Sequence, residues 1–81
     1  MIVYVKLFAR ARQLMESDTV QVKIPAAAKV DELRQALVDQ HPPLAELNNH
    51  WMIAVDAEYA GLSTTLNSDS EIALIPPVSG G

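Results

Sequence analysis

The stretch Thr19-Val20-Gln21-Val22-Lys23-Ile24-Pro25, followed after three alanines and Lys29 by Val30-Asp31-Glu32-Leu33-Arg34-Gln35-Ala36-Leu37, decides the fold. Within it the apolar period changes. Val20, Val22 and Ile24 fall on one face and Thr19, Gln21 and Lys23 on the other, which is the alternation of a half-buried strand, and Pro25 ends it. From Val30 to about His41, Val30, Leu33, Ala36 and Leu37 recur at helical spacing, with Asp31 and Glu32 in the first turn, where the helix dipole favours anions. This is the main helix. Pro42-Pro43 stops it, because neither ring supplies a backbone donor and the residue before a proline is pushed toward extended geometry.

Working outward, Ile2 to Phe8 is a further strand, with Val3, Val5 and Leu7 facing a core and Tyr4, Lys6 and Phe8 facing away. Ala9 to Met15 is rich in helix formers and stops before Glu16-Ser17-Asp18, which gives a helix of one or two turns between two strands that pair like a hairpin. Beyond the main helix, Leu44 to His50 reads as a connecting segment anchored by Leu44 and Leu47. Trp51 to Val55 is the next strand, with Trp51 a core or edge anchor. Asp56-Ala57-Glu58 is a turn in which Asp56 can bond its own backbone, and Leu66 leads into another turn at Asn67 to Ser70. The last strand, Glu71 to Ile75, points Ile72 and Leu74 inward and Ala73 and Ile75 outward. Val3, Val5, Leu7, Val20, Val22, Ile24, Leu33, Leu37, Ile72 and Leu74 are expected to share one core. The pattern is α+β: a mixed sheet of four to five strands crossed by one main helix, the β-grasp arrangement.

Composition narrows the function classes. A chain of 81 residues with 49% apolar and 20% charged residues has room for one ordered domain, expected here over residues 1–81. A net charge of −4 disfavours nucleic acid as a partner, since that role calls for a basic face able to displace counterions. No cysteine is present, so no side chain of this protein forms a disulfide, a thiolate metal site or a thiol nucleophile. The opening strand is too short for a signal peptide or membrane span, and the expectation is a cytoplasmic protein without membrane contact. His41 and His50 lack a matching ligand set, so no metal site is expected.

The chain closes Ile75-Pro76-Pro77-Val78-Ser79-Gly80-Gly81. The two prolines stiffen the exit from the sheet, while Gly80 and Gly81 carry no side chain to obstruct a narrow passage. Fully extended, residues 76–81 reach roughly 20 Å at about 3.3–3.6 Å per residue, enough to enter a partner's active site as a flexible tail. The reactive group at the tip is the Gly81 carboxylate. It is a poor electrophile until an oxygen becomes a better leaving group, so activation needs another enzyme.

That ending, with Leu74 before it, resembles the small, sulfur-carrier subunit of molybdopterin synthase. The similarity runs along the chain through Leu7-Phe8-Ala9, Arg12, the Val30 to Leu37 helix and the Leu66 to Pro77 approach. Two positions depart from the family pattern: Asp69-Ser70 stands where a Gly-Asp turn is frequent, and Asp56 where Asn is frequent. The resemblance implies that a nucleotide-binding activating enzyme uses ATP to form a transient acyl adenylate on Gly81, which a sulfur donor converts to a thiocarboxylate. It implies no bound cofactor and no catalysis by this chain alone. The loaded tail, Pro76, Pro77, Val78, Ser79, Gly80 and Gly81, would enter the large subunit of a heterotetramer, which supplies most of the active site. There it would give sulfur to cyclic pyranopterin monophosphate in molybdenum cofactor biosynthesis.

Tyr4, Phe8 and Ile75 are expected on one exposed face as a partner-binding patch, with Arg12 beside it; single exposed apolar residues would otherwise need no explanation. Arg10 reads as a solvated helix residue. Two other uses of a diglycine end stand beside the main reading. One is the sulfur carrier of thiamine biosynthesis, against which the paired prolines argue. The other is a ubiquitin-like modifier that would join Gly81 to a target lysine. An inert β-grasp interaction module is the remaining reading.

Overall fold

A computed structural model describes residues 1–48 and 50–76. Its elements are β1 (Ile2–Leu7), α1 (Ala9–Met15), β2 (Thr19–Lys23), α2 (Val30–Gln40), a 3-10 helix (Pro42–Leu47), β3 (Met52–Val55), β4 (Glu58–Tyr59) and β5 (Ile72–Ile75). The strands form one five-stranded sheet in the order β2-β1-β5-β3-β4. The pair β1 and β5 is parallel, and the other neighbours are antiparallel. This is the mixed β-grasp sheet expected from the alternation of periods.

The alternation of β1 and β2 buries Val3, Val5, Leu7, Val20 and Val22 on one face, against Leu33 and Leu37 of α2. Ile24, Ile72 and Leu74 join the same cluster, so every residue expected in the core is buried. Each fully buried leucine or valine contributes about 1.5–3 kcal/mol relative to exposure, and this face carries the stability of the fold.

The helix that closes the core is itself held at both ends. Backbone N–H groups of Val30 and Asp31 donate to the carbonyls of Thr64 (3.0 Å) and Leu62 (3.0 Å), and the Glu32 carboxylate accepts from the Lys29 N–H at 3.1 Å. Three of the orphan donors around the helix start are thereby satisfied. At the other end, the Gln40 side-chain amide donates to Lys23 O (2.7 Å) and accepts from Lys23 N (2.9 Å), and His41 Nε2 lies 2.7 Å from Gln21 O. These contacts occupy outward backbone groups of edge strand β2, which would otherwise invite another strand to pair. Midway along α2, the Arg34 guanidinium stacks 4.0 Å above the Trp51 ring and donates to Trp51 O at 2.8 Å. Desolvation by burial lowers the Arg34 pKa below its ordinary value.

Four local readings change. Pro42 and Pro43 end α2 and also open the 3-10 helix, where a missing N–H costs nothing; Leu44 and Leu47 are its buried anchors. Asp56 does not bond its own backbone: its Oδ1 accepts from Glu71 N at 3.0 Å, while Asp56 N donates to Glu71 O at 2.8 Å. The turn is Asp56-Ala57 alone, both residues at positive φ (51° and 68°), so Glu58 belongs to β4. Pro76, expected as the first residue of the tail, is buried at the end of β5.

Candidate functional site

The face of the sheet turned away from α2 has no element of the described chain packed across it. Its residues are set by register. Met52 pairs with Ile75, Ala54 with Ala73, and Ala54 with Tyr59. Lys6 pairs with Ala73 across the parallel junction, and Phe8 follows the Leu7–Leu74 pair. The tail-proximal end of the face is therefore apolar: Phe8 and Met52 are 47% and 49% exposed, and Ile75 is half-buried between them. Tyr4 (58%) and Tyr59 (67%) extend the exposed apolar surface.

Phe8 and Ile75 line one shallow cavity of about 330 Å³, with Lys6, Ala54, Ala57, Tyr59, Glu71 and Ala73 among its other lining residues. Tyr4 shares the face but lies outside this cavity. Arg12 does not reach it; it lines a smaller recess of about 260 Å³ that includes Asp18, and Lys6 and Phe8, which line both recesses, join the basic helix α1 to the open face. Arg10 pairs with Glu46 at 3.2 Å with both side chains well exposed, a contact worth little.

Pro77, Val78, Ser79, Gly80 and Gly81, named above as tail and reaction terminus, lie outside the described residues. The described part of the site is the base from which they continue: Ile75, then buried Pro76. Because β5 lies between β1 and β3, the tail departs from the middle of the sheet, flanked by Phe8 and Met52.

Of the contributors that were not among the sequence candidates, three stand on β3 and β4. Met52 and Ala54 alternate with Ile53 and Val55, so the period-two pattern already placed them on the open face. Tyr59 gave no such signal, because Asp56-Ala57 lacks the glycine that marks a two-residue hairpin. What this face offers is contact area with a cation, Lys6, on one side and a carboxylate, Glu71, at one end. Among the described residues, no group of three or more His, Cys, Asp or Glu is placed to hold a metal ion. Among those residues, too, no helix is long and apolar enough to cross a membrane.

Comparison with known proteins places this geometry. The ThiS family model matches residues 5–81. The molybdopterin synthase sulfur carrier subunit of Caenorhabditis briggsae is 40% identical, over 98% of this chain and 96% of that protein. Small archaeal modifier protein 1 of Haloferax volcanii is 37% identical, over 94% of this chain and 97% of that protein. A crystal structure of SAMP1 from the same organism superposes with a TM-score of 0.85 over the whole of both chains, at 32% identity. A complex of subunits 1 and 2 of the molybdopterin-converting factor of Helicobacter pylori contains a chain that aligns over the full length of both at 29% identity, with a TM-score of 0.69.

Proposed function

Since the chain belongs to the ThiS family, we propose that it is the sulfur carrier of a cytoplasmic molybdopterin synthase, loaded as a thiocarboxylate on Gly81. The observation that carries this reading is the full-length match to a protein named for that role, joined to an open apolar face from whose centre the tail departs. The chemistry follows from the terminal group. A Gly81 carboxylate oxygen attacks the α-phosphorus of ATP on an activating enzyme and releases pyrophosphate. A sulfur donor then replaces AMP at the acyl carbon, leaving the thiocarboxylate. Docked on the large subunit, the tail presents that sulfur to cyclic pyranopterin monophosphate. The product dithiolene holds two sulfurs, so two loaded carriers are consumed for each, in keeping with a heterotetramer.

Within this division of labour the chain's own residues bind and position. Phe8, Ile75 and Tyr4 supply area that is solvated in the free protein and buried in the complex, Arg12 extends it, and Pro76 fixes where the tail starts. The test is reconstitution of molybdopterin synthesis from purified carrier, large subunit, activating enzyme and sulfur source. Deleting Gly81 moves the carboxyl by one residue, up to about 3.6 Å. Misplacement of that size should abolish synthesis while the melting temperature stays unchanged. Wild-type activity from the deletion would end the sulfur-carrier reading.

A second reading is favoured by the match to small archaeal modifier protein 1: ligation of Gly81 to lysines of other proteins. Intact-mass analysis of protein from its native cell separates the two. Replacement of one terminal oxygen by sulfur marks the carrier, and covalent protein adducts mark the modifier.

A further inference from the structure

At the centre of the open face the two middle strands place alanine against alanine: Ala54 on β3 and Ala73 on β5 are cross-strand partners. Such positions ordinarily favour branched or aromatic side chains, which pack across the pleat. Two methyl groups side by side instead leave the floor of the 330 Å³ depression, and larger residues stand around it. By strand register, Phe8 and Ile75 stand at the tail end, Tyr59 and Lys6 on the two sides, and Glu71, just before β5, at the far end. Neither the Lys6 nor the Glu71 side chain has a hydrogen-bond or ion-pair partner among the described residues.

A small concavity with an apolar floor and a raised apolar rim is the form that takes an anchor residue, since the rim excludes water around whatever fills the centre. We propose that this depression is the socket for one bulky apolar side chain projecting from the large subunit, flanked there by a carboxylate meeting Lys6 and a cation meeting Glu71. The proposal rests on the sulfur-carrier reading and adds the contact that sets the register of docking. One filled socket fixes position, and two opposite charges at different points of its rim make only one of two opposed orientations complementary. Both constraints matter because an error at the base is carried along the tail to the reacting atom. A second copy of this chain is a poorer occupant, because its own tall apolar groups on this face, Phe8 and Tyr59, are built into the rim.

The experiment is titration calorimetry of the purified chain against the large subunit from the same organism, with thermal melts of every variant. Ala73→Phe fills the socket at a position that is partly exposed and favours large side chains, so it should melt like the wild type yet bind at least about tenfold more weakly. Ala73→Ser keeps the size and should stay within about twofold of wild type. Ala73→Val, a smaller plug, should fall between them and serves if Ala73→Phe lowers the melt. Lys6→Glu should weaken binding several-fold, and adding Glu71→Lys should not restore it, because the charges then sit in reversed order. Wild-type affinity from Ala73→Phe and Ala73→Val would overturn the socket while leaving the carrier reading intact. A wild-type dimer that Ala73→Phe dissolves would overturn the large subunit as its occupant. Failure of the wild-type chain to bind the large subunit at all would instead count against the carrier reading.

Discussion

The two faces of this sheet are made by alternate residues of the same strands, and they end in opposite states. On β1, Val3, Val5 and Leu7 are at most 1% exposed, whereas Tyr4 and Phe8 are 58% and 47% exposed. Both sets are apolar, so hydrophobicity does not distinguish them; what does is whether the chain itself supplies a cover. Helix α2 closes the first face with Leu33 and Leu37, and the described chain places nothing across the second. A face that is apolar and uncovered, with the C-terminal segment continuing from its middle strand, is suited to be finished by a partner rather than by folding. Stability and function are thereby assigned to opposite sides of one sheet, and each can be broken without the other.

The largest effect should come from the covered side. Leu37→Ala removes a fully buried side chain from α2 and should cost about 2–5 kcal/mol, a large part of the 5–15 kcal/mol typical of a domain. Denaturant unfolding measures it; an unchanged midpoint would show that α2 does not hold this face. On the open side, Ile75→Asp should leave that midpoint nearly untouched. Its affinity for the large subunit should fall by about 2 kcal/mol or more, since a charge tolerated in water would be buried unpaired in the complex. Equal affinity would remove Ile75 from the docking surface, and a large loss of stability would show that the two faces are not separable.

The contrast between faces was largely legible in the sequence, because period-two alternation records which side of a strand is covered. It correctly separated Val3, Val5 and Leu7 from Tyr4 and Phe8, and Ile72 and Leu74 from Ala73 and Ile75. The main helix α2 followed from the same logic at period 3.6, and α1 from its run of helix formers. What was not legible lies where backbone conformation and residue type disagree. Glu16, Asn48, Asp56 and Ala57 all adopt positive φ, yet none is the glycine that would announce a left-handed turn. The short strand Glu58–Tyr59 was hidden for that reason, and Tyr59 with it. The 3-10 helix was hidden differently: Pro42-Pro43 reads as a stop, and only the structure shows that a stop for α2 can serve as the start of the next turn. Asp56 was recognised as a turn residue, but its bond to Glu71, 15 positions away, is a tertiary contact that local spacing does not encode.

The smallest effect, and the one of opposite sign, should come from that hidden turn. Ala57 holds φ at 68° as the second central residue of the two-residue connection between β3 and β4, a geometry that favours glycine because an L side chain there crowds the backbone by roughly 1–2 kcal/mol. Ala57→Gly relieves this strain but loosens the unfolded chain, which costs about 0.4–1 kcal/mol. The net change should be a gain of about 0.5–1 kcal/mol, read as a raised melting temperature. Ala57 also lines the edge of the socket, so losing its methyl trims the rim while the Ala54–Ala73 floor and both rim charges stay in place, and affinity for the large subunit should change by less than about twofold. A lowered melting temperature would mean that the Ala57 methyl contributes more in packing than its backbone costs. Altered affinity with raised stability would mean that the turn helps to set the position of Tyr59 on the socket rim, and that the open face depends on a conformation the strands alone do not hold.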